Sequence, residues 1–331
     1  MILLTTLTTA QACDLCAVYR AADARGESGE GLVLGIAGQF IPYRTTQFEG
    51  AEVDNPPFRE HVDSYLTHFL VGYNFSPRFG VNLNVPLAHL EFRRKDVRYS
   101  LTSPPVNYTE VGTETGLGDV SLIGRAAVFQ KMDMDYGVVV NVLGGVKFPT
   151  GDDERVEEEI EQTKIFNQFV PPGTPHDPLG HSPSAVHQHM LALGSGSFDG
   201  IFGVTASFNW KRLFANAQFQ YYLRTEADSG FKFGNETIVS GGPGVFVFLD
   251  KSFTLSVQAF AAYDDMQRDE LLGTVSVRTG MTAWYIGPLV NLTVVGHFSA
   301  NIGVDFPLKI ENGFYQVVPN YRLHGGISWR F

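Results

Sequence analysis

Apolar and polar residues alternate along most of this chain. From Leu213 the residues Leu213, Ala215, Ala217, Phe219, Tyr221 and Leu223 share one face, while Asn216, Gln218, Gln220 and Arg224 share the other. A period of two is the signature of a strand. Kept up for about 11 residues, it gives the length a tilted strand needs to cross a bilayer. The same alternation runs through Leu255, Val257, Ala259, Ala261 and Tyr263, through Val275, Val277, Met281, Ala283 and Tyr285, and from Leu292 to Phe306, where Thr293, His297, Ser299, Asn301 and Asp305 form the polar set. Strands of a soluble sandwich alternate too, but they average only five or six residues.

Segments of this kind number about twelve, near 31–47, 61–75, 79–99, 117–131, 135–149, 196–210, 213–225, 236–249, 252–264, 272–286, 289–306 and 319–331. Pro77-Arg78, Met132 to Met134, Lys211-Arg212, Asp250-Lys251 and Gly287-Pro288 read as tight turns. Longer polar loops fall between them, near 48–60, 100–116, 150–195, 226–235, 265–271 and 307–318. Short and long connections alternate, as they do when one barrel rim faces the periplasm and the other the outside. The expected fold class is all-β, an antiparallel transmembrane β-barrel of outer-membrane type spanning 31–331, with a long external loop at 151–195. In the last strand Tyr321, Leu323, Ile327, Trp329 and Phe331 oppose Arg322, His324, Ser328 and Arg330. An aromatic last residue preceded by apolar residues at every second position resembles the assembly signal of bacterial outer-membrane barrels. It makes the barrel-assembly machinery an expected partner through Phe331.

Composition agrees with this reading. With aromatics at 13% and charged residues at 18%, the chain is too apolar for disorder. It lacks the run of about 18 apolar residues that a membrane-crossing helix requires. A net charge of −11 argues against a nucleic-acid partner, which clustered Lys and Arg would hold. Outer-membrane lipid and a small-molecule solute are the partners that remain.

Residues 1–12 read as a signal peptide shortened at its start, with Ala10-Gln11-Ala12 as the small-x-small cleavage site. Residues 13–30 then form a periplasmic segment carrying Cys13 and Cys16 in a C-x-x-C pair. In an oxidising compartment the pair reads as a local disulfide, or else as the contact to a periplasmic, redox or metal partner. Ala17 stands where a c-type haem attachment would place His.

Opposite the apolar set, the lumen-facing candidates are Asp119, Arg125, Lys147, Arg224, Arg278, His297, Asp305 and His324. Such inward charges line a narrow path or pair with one another. The loop from Asp152 to Ser195 begins with a run of acids, has a helical stretch at 157–168, and carries His176, His181, His187 and His189. It reads as a polar lid whose acids keep it solvated. The sharper alternative is zinc or copper held by His187 and His189, which share a face in extended chain, with His176 or His181. No Gly-x-Ser-x-Gly elbow is present, so the chain is not read as an enzyme.

Three short motifs carry a family resemblance. Leu117-Gly118-Asp119-Val120, Phe148-Pro149-Thr150-Gly151-Asp152 and Leu193-Gly194-Ser195-Gly196-Ser197-Phe198-Asp199 are similar to motifs of the outer-membrane family named for the phenol-degradation meta pathway, over roughly 60–331. The family is related to long-chain fatty-acid transporter-type channels. The resemblance implies an outer-membrane channel for small apolar or aromatic solutes. The rival reading is a structural or sheath barrel that binds a periplasmic or redox partner through the C-x-x-C pair and the His-rich loop.

Overall fold

The computed structural model describes residues 30–56, 58–294 and 297–331. The expected signal peptide and Cys13–Cys16 pair lie outside the described residues. Twelve antiparallel strands close into a barrel. They are β1 (Gly31–Phe48), β2 (His61–Asn74), β3 (Phe79–Arg98), β4 (Ser121–Met132), β5 (Tyr136–Lys147), β6 (Asp199–Trp210), β7 (Leu213–Leu223), β8 (Glu236–Leu249), β9 (Phe253–Met266), β10 (Met281–Val294), β11 (Phe298–Asn312) and β12 (Arg322–Arg330). Closure is made by β1, which pairs with β2 from Gly31↔Asn74 to Tyr43↔Val62 and with β12 from Val33↔Arg330 to Phe40↔Leu323.

Lipid dictates the outer face. Leu34, Ile36, Phe69, Val71, Val142, Phe202, Val204, Ile286, Ile302 and Ile327 are exposed on the wall. Near the short-turn rim the band is edged by Tyr73, Phe75, Phe79, Trp210, Trp329 and Phe331. Toward the other rim Phe40 stacks on Tyr65 at 4.5 Å, and Tyr263 lies 4.6 Å from Trp284. Pairing β1 with both β2 and β12 closes the sheet, and an apolar band between two aromatic girdles is the outer-membrane solution to crossing a bilayer. The outer membrane is where this barrel resides.

Two expectations about the strands are corrected. Gly287-Pro288 is not a turn; it lies inside β10, where Pro288 pairs with Ala259. A Cβ on Gly287 would stand 1.6 Å from the Val304 carbonyl oxygen, so the backbone of β11 presses directly on the glycine. The tight connection comes later, between Val294 and Phe298, and His297 sits in it, exposed, with its Nδ1 2.9 Å from the Arg330 carbonyl. Similarly, β10 begins at Met281, and Thr274-Val275 belongs to a small external three-stranded sheet with Phe231-Lys232 and Glu270-Leu271.

The second correction concerns the stretch read as a loop at 100–116. Residues Val106–Leu117 form an arm strand paired with the outer half of β3, from Leu87↔Leu117 to Arg98↔Val106. Its neighbour β4 pairs only with the inner part of β3, from Phe79↔Ala126 to Asn84↔Ser121. The switch falls at Pro86, which has no N–H to give, and whose carbonyl accepts from Gly118 at 2.9 Å. Above Gly118 the arm strand has one ladder partner among the described strands, which leaves its other edge open as a seam in the wall.

Candidate functional site

The external loop between β5 and β6 is folded into the barrel mouth as a plug rather than held in water. Helix α1 (Glu154–Phe166) has Glu154 and Glu157 in its first turn and Lys164 in its last, which suits its dipole. Its buried stripe is Val156, Glu159, Ile160 and Thr163. Val156, Ile160 and Leu179 pack against Phe231 and Leu271 of the small external sheet. Ala185, Val186 and Leu191 pack against Val62, Leu90 and Phe92 on the inner wall, and Val317 joins them. The solvated lid is thereby corrected: the apolar residues among the acids form a core of their own.

Polar anchors fix the plug in register. Glu60, 3% exposed on the wall, accepts from the Ala185 amide at 2.9 Å and from Ser184 Oγ. Arg155 contacts Glu110 at 2.9 Å and Glu114 on the arm strand, and Gln188 at 3.0 Å within the plug. Burial opposes the Arg155 charge, but the two glutamates outweigh it and raise its pKa. At the centre of the plug stands Glu159, fully buried, with His181 Nε2 at 2.9 Å and His189 Nδ1 at 3.4 Å, and with the Gln188 amide donating at 2.6 Å. Burial alone would raise the Glu159 carboxyl; the hydrogen bonds from His181 and His189 overcome it and hold it well below the usual glutamate range. The other edge of His189 lies 3.4 Å from Asp269, whose carboxyl is pushed up by burial.

Beneath this plug lies a cavity of about 190 Å³. Its lining is mainly apolar, including Leu66, Ala88, Met190, Leu193 and Phe233. For comparison, an apolar cavity of about 150 Å³ admits a benzene ring. One side is charged and mutually neutralised. Asp119 and Asp199 each stand 2.9 Å from Lys147 Nζ, and Arg224 bridges Asp199 and Glu236 at 3.0 Å each. A second chain runs along the inner wall, with Arg322 3.6 Å from Asp264 and 3.3 Å from Asp305, which lies 3.3 Å from His324. Deeper in the lumen the lining becomes neutral amides and hydroxyls: His68 bonds Asn84 at 2.9 Å, Asn141 bonds Thr205 at 3.0 Å, and Gln258 bonds Asn216 at 2.6 Å. Arg125 adds a cation there, donating to Asn141 at 3.1 Å and Asn74 at 3.0 Å.

Of the lumen-facing candidates, Asp119, Arg125, Lys147, Arg224, Asp305 and His324 therefore lie inside the barrel, and Arg278 and His297 do not. Arg278 sits in the external loop before β10, donates to the Ser182 carbonyl at 2.8 Å and touches the rim of the cavity. It stands outside the lumen because β10 starts three residues later. Of the four loop histidines, His176 is exposed and bonded to Asn167 at 2.7 Å, while His181, His187 and His189 are buried. Among the described residues no three His, Cys, Asp or Glu side chains converge as a metal ligand set. Sequence reading missed Glu159, Glu60 and Glu236; a carboxylate within an acidic run, or single on a strand, carries no mark of burial.

The three motifs quoted above meet at one place. Asp119 accepts from Gly151 N at 3.1 Å, from Ser195 N at 2.8 Å and from Ser195 Oγ at 2.7 Å. Gly151 and Gly194 touch backbone to backbone; a Cβ on Gly151 would stand 2.6 Å from the Leu193 oxygen. Together they form the lower end of the seam and the hinge of the plug.

No protein-family profile matches the chain, and no curated protein matches its sequence. Among solved structures, an outer-membrane channel from Pseudomonas putida F1 superposes with a TM-score of 0.61 at 12% identity, covering 92% of this chain and 96% of that one. The translocator domain of the autotransporter NalP from Neisseria meningitidis follows at a TM-score of 0.43 and 11% identity, covering 95% and 94%. At such identities the first likeness speaks for the barrel fold, and the second is too loose to argue from.

Proposed function

We propose that this barrel is an outer-membrane channel for small, mainly apolar solutes, which bind in the mouth cavity beneath the plug. The observation that carries the reading is the cavity itself: it has room for about one aromatic ring, its walls are mostly apolar, and its charges are consumed by one another. The motif resemblance to the phenol-degradation family supports the same solute class. Two ways lead onward from the cavity. The amide-lined lumen below suits water and polar solutes, whereas Leu193, Pro86 and Gly118 line the cavity beside the seam. On the lipid side of that seam stand Leu117, Val146 and Phe198, all exposed. An apolar solute leaving sideways there meets hydrocarbon at once and avoids the polar lumen, whose groups it would strip of hydrogen bonds.

Ala88→Trp tests the reading, because Ala88 is 4% exposed and its side chain faces the cavity. Cells carrying the filled cavity should lose uptake of benzyl alcohol and toluene while keeping a folded, heat-modifiable barrel. Unchanged uptake would overturn the cavity as the route. A sheath, the rival reading, instead requires a tightly held periplasmic protein and a barrel that stays sealed when residues 152–194 are removed.

A further inference from the structure

His187 is 1% exposed and lines the mouth cavity, yet neither of its ring nitrogens has a hydrogen-bond partner. Its ring lies flat against His189, with centroids 5.6 Å apart and 10° between planes, and this contact uses no nitrogen. Burying an unpartnered polar group is costly, so such an orphan calls for a ligand. The methionines around it point to which kind. Met132 and Met134 are exposed at the far rim. The other three among the described residues, Met190, Met266 and Met281, all line this cavity. Met266 and Met281 are direct cross-strand partners of β9 and β10, which sets their Cβ atoms about 5 Å apart. Met190 follows in the same plug turn as His187, whose carbonyl accepts the Met190 amide at 3.2 Å.

Thioethers are poor ligands for zinc, magnesium or calcium and good ones for Cu(I), and imidazole completes such a set. We propose that the mouth cavity holds a soft monovalent cation, Cu(I), through the sulfurs of Met190, Met266 and Met281 and one ring nitrogen of His187. The carboxylates of Glu159 and Asp269, reached through His189, place negative charge behind the site; Arg94, near His187, is neutralised by Asp96. The assignment differs from the zinc or copper set expected on His187, His189, His176 and His181. There His189 is already engaged by two carboxylates and His176 stands in solvent. It goes beyond the organic-solute reading and concerns the same cavity.

The test uses Ag(I), a surrogate that does not change oxidation state, in chloride-free buffer with detergent-purified full chain carrying Cys13→Ser and Cys16→Ser, so that thiols do not compete. Calorimetric titration should give one equivalent of bound Ag(I) and no comparable binding of Zn(II). Met190→Leu/Met266→Leu/Met281→Leu, which conserves volume, should weaken Ag(I) at least tenfold while the heat-modifiable barrel remains. Absorption spectroscopy at the silver edge of the parent should show sulfur neighbours, which keeps the proposal testable even if the triple variant does not fold. Equal affinity in the Leu variant, a parent that binds no Ag(I), or a silver shell without sulfur would overturn it and leave the methionines as adaptable lining.

Discussion

Replacing Lys147 with Met should unlatch the plug without dismantling the barrel. The ammonium is 5% exposed and stands 2.9 Å from both Asp119 and Asp199. Without it the two carboxylates face each other across no more than about 6 Å, a repulsion of about 3 kcal/mol at an effective dielectric of about 20. That agrees with the cost of about 3–5 kcal/mol for removing one partner of a buried pair. Arg224 still holds Asp199, so the burden falls on Asp119, whose oxygens accept the amides of Gly151 and Ser195. A loss of about 3 kcal/mol in local opening energy corresponds to roughly 100-fold faster exchange of those amides. Hydrogen exchange read by mass spectrometry on peptides spanning 148–156 and 193–199 would measure it, with peptides from β10 unchanged. Adding Asp119→Asn removes the repulsion and should bring exchange back to within about tenfold of the parent. Parent-like exchange in Lys147→Met, or a double variant faster than the single one, would refute the latch.

Further expectations concern the same mouth. Gly151→Ala forces a methyl to within 2.6–2.7 Å of the Leu193–Gly194 backbone, so it should raise single-channel conductance by displacing the hinge; conductance equal to the parent would count against the contact. Glu159→Gln leaves His181 and His189 without their shared anion and should cost about 3 kcal/mol of plug stability, read as faster proteolysis of the loop. Because the folded Glu159 carboxyl lies below its ordinary value of 4.5, its contribution is complete above that value and is lost as pH falls through the lowered one. The parent plug should therefore hold at pH 5 and release only in stronger acid, and release already at pH 5 would contradict the pairing. Proteinase added to intact cells should cut near Phe169, which is 53% exposed, and spare Lys211-Arg212; early cleavage at the latter would mean that the barrel is inverted.

What the chain discloses by itself is what lipid enforces. Along β7 or β11 each outward residue must be apolar and each inward one need not be, so alternation reports the fold directly. The arm strand escapes that rule because it rises beyond the band: Asn107, Thr109, Thr113 and Thr115 share its outward face with Val111 and Leu117, and Glu110 and Glu114 on the inner side meet Arg155. With polar residues on both faces nothing alternates. Gly287-Pro288 misleads for the opposite reason. The pair is a strong turn signal in water-facing chain, but within a closed ladder it marks a position where one strand's backbone crowds the next.

The plug shows how far the argument from pattern can reach. Its buried stripe, Val156, Glu159, Ile160 and Thr163, has the i, i+3, i+4, i+7 spacing of an inward helix face. Two of the four members are polar, so a hydrophobicity reading passes over it. What makes Glu159 an interior residue is a set of partners supplied from outside the helix: His181, His189 and the Gln188 amide. Likewise Asp119 is one inward acid among several until Gly151, Ser195 and Lys147 arrive from connections far along the chain. A buried charge is tolerated only when its partners are complete. Burial of an acid is thus a property of the assembled site, and at this mouth the assembly joins three motifs that the sequence holds about 30 to 80 positions apart. Each motif alone looks like a glycine-rich turn. Their meeting at Asp119 is what turns an exposed loop into a closed plug, with a cavity below it and a seam beside it.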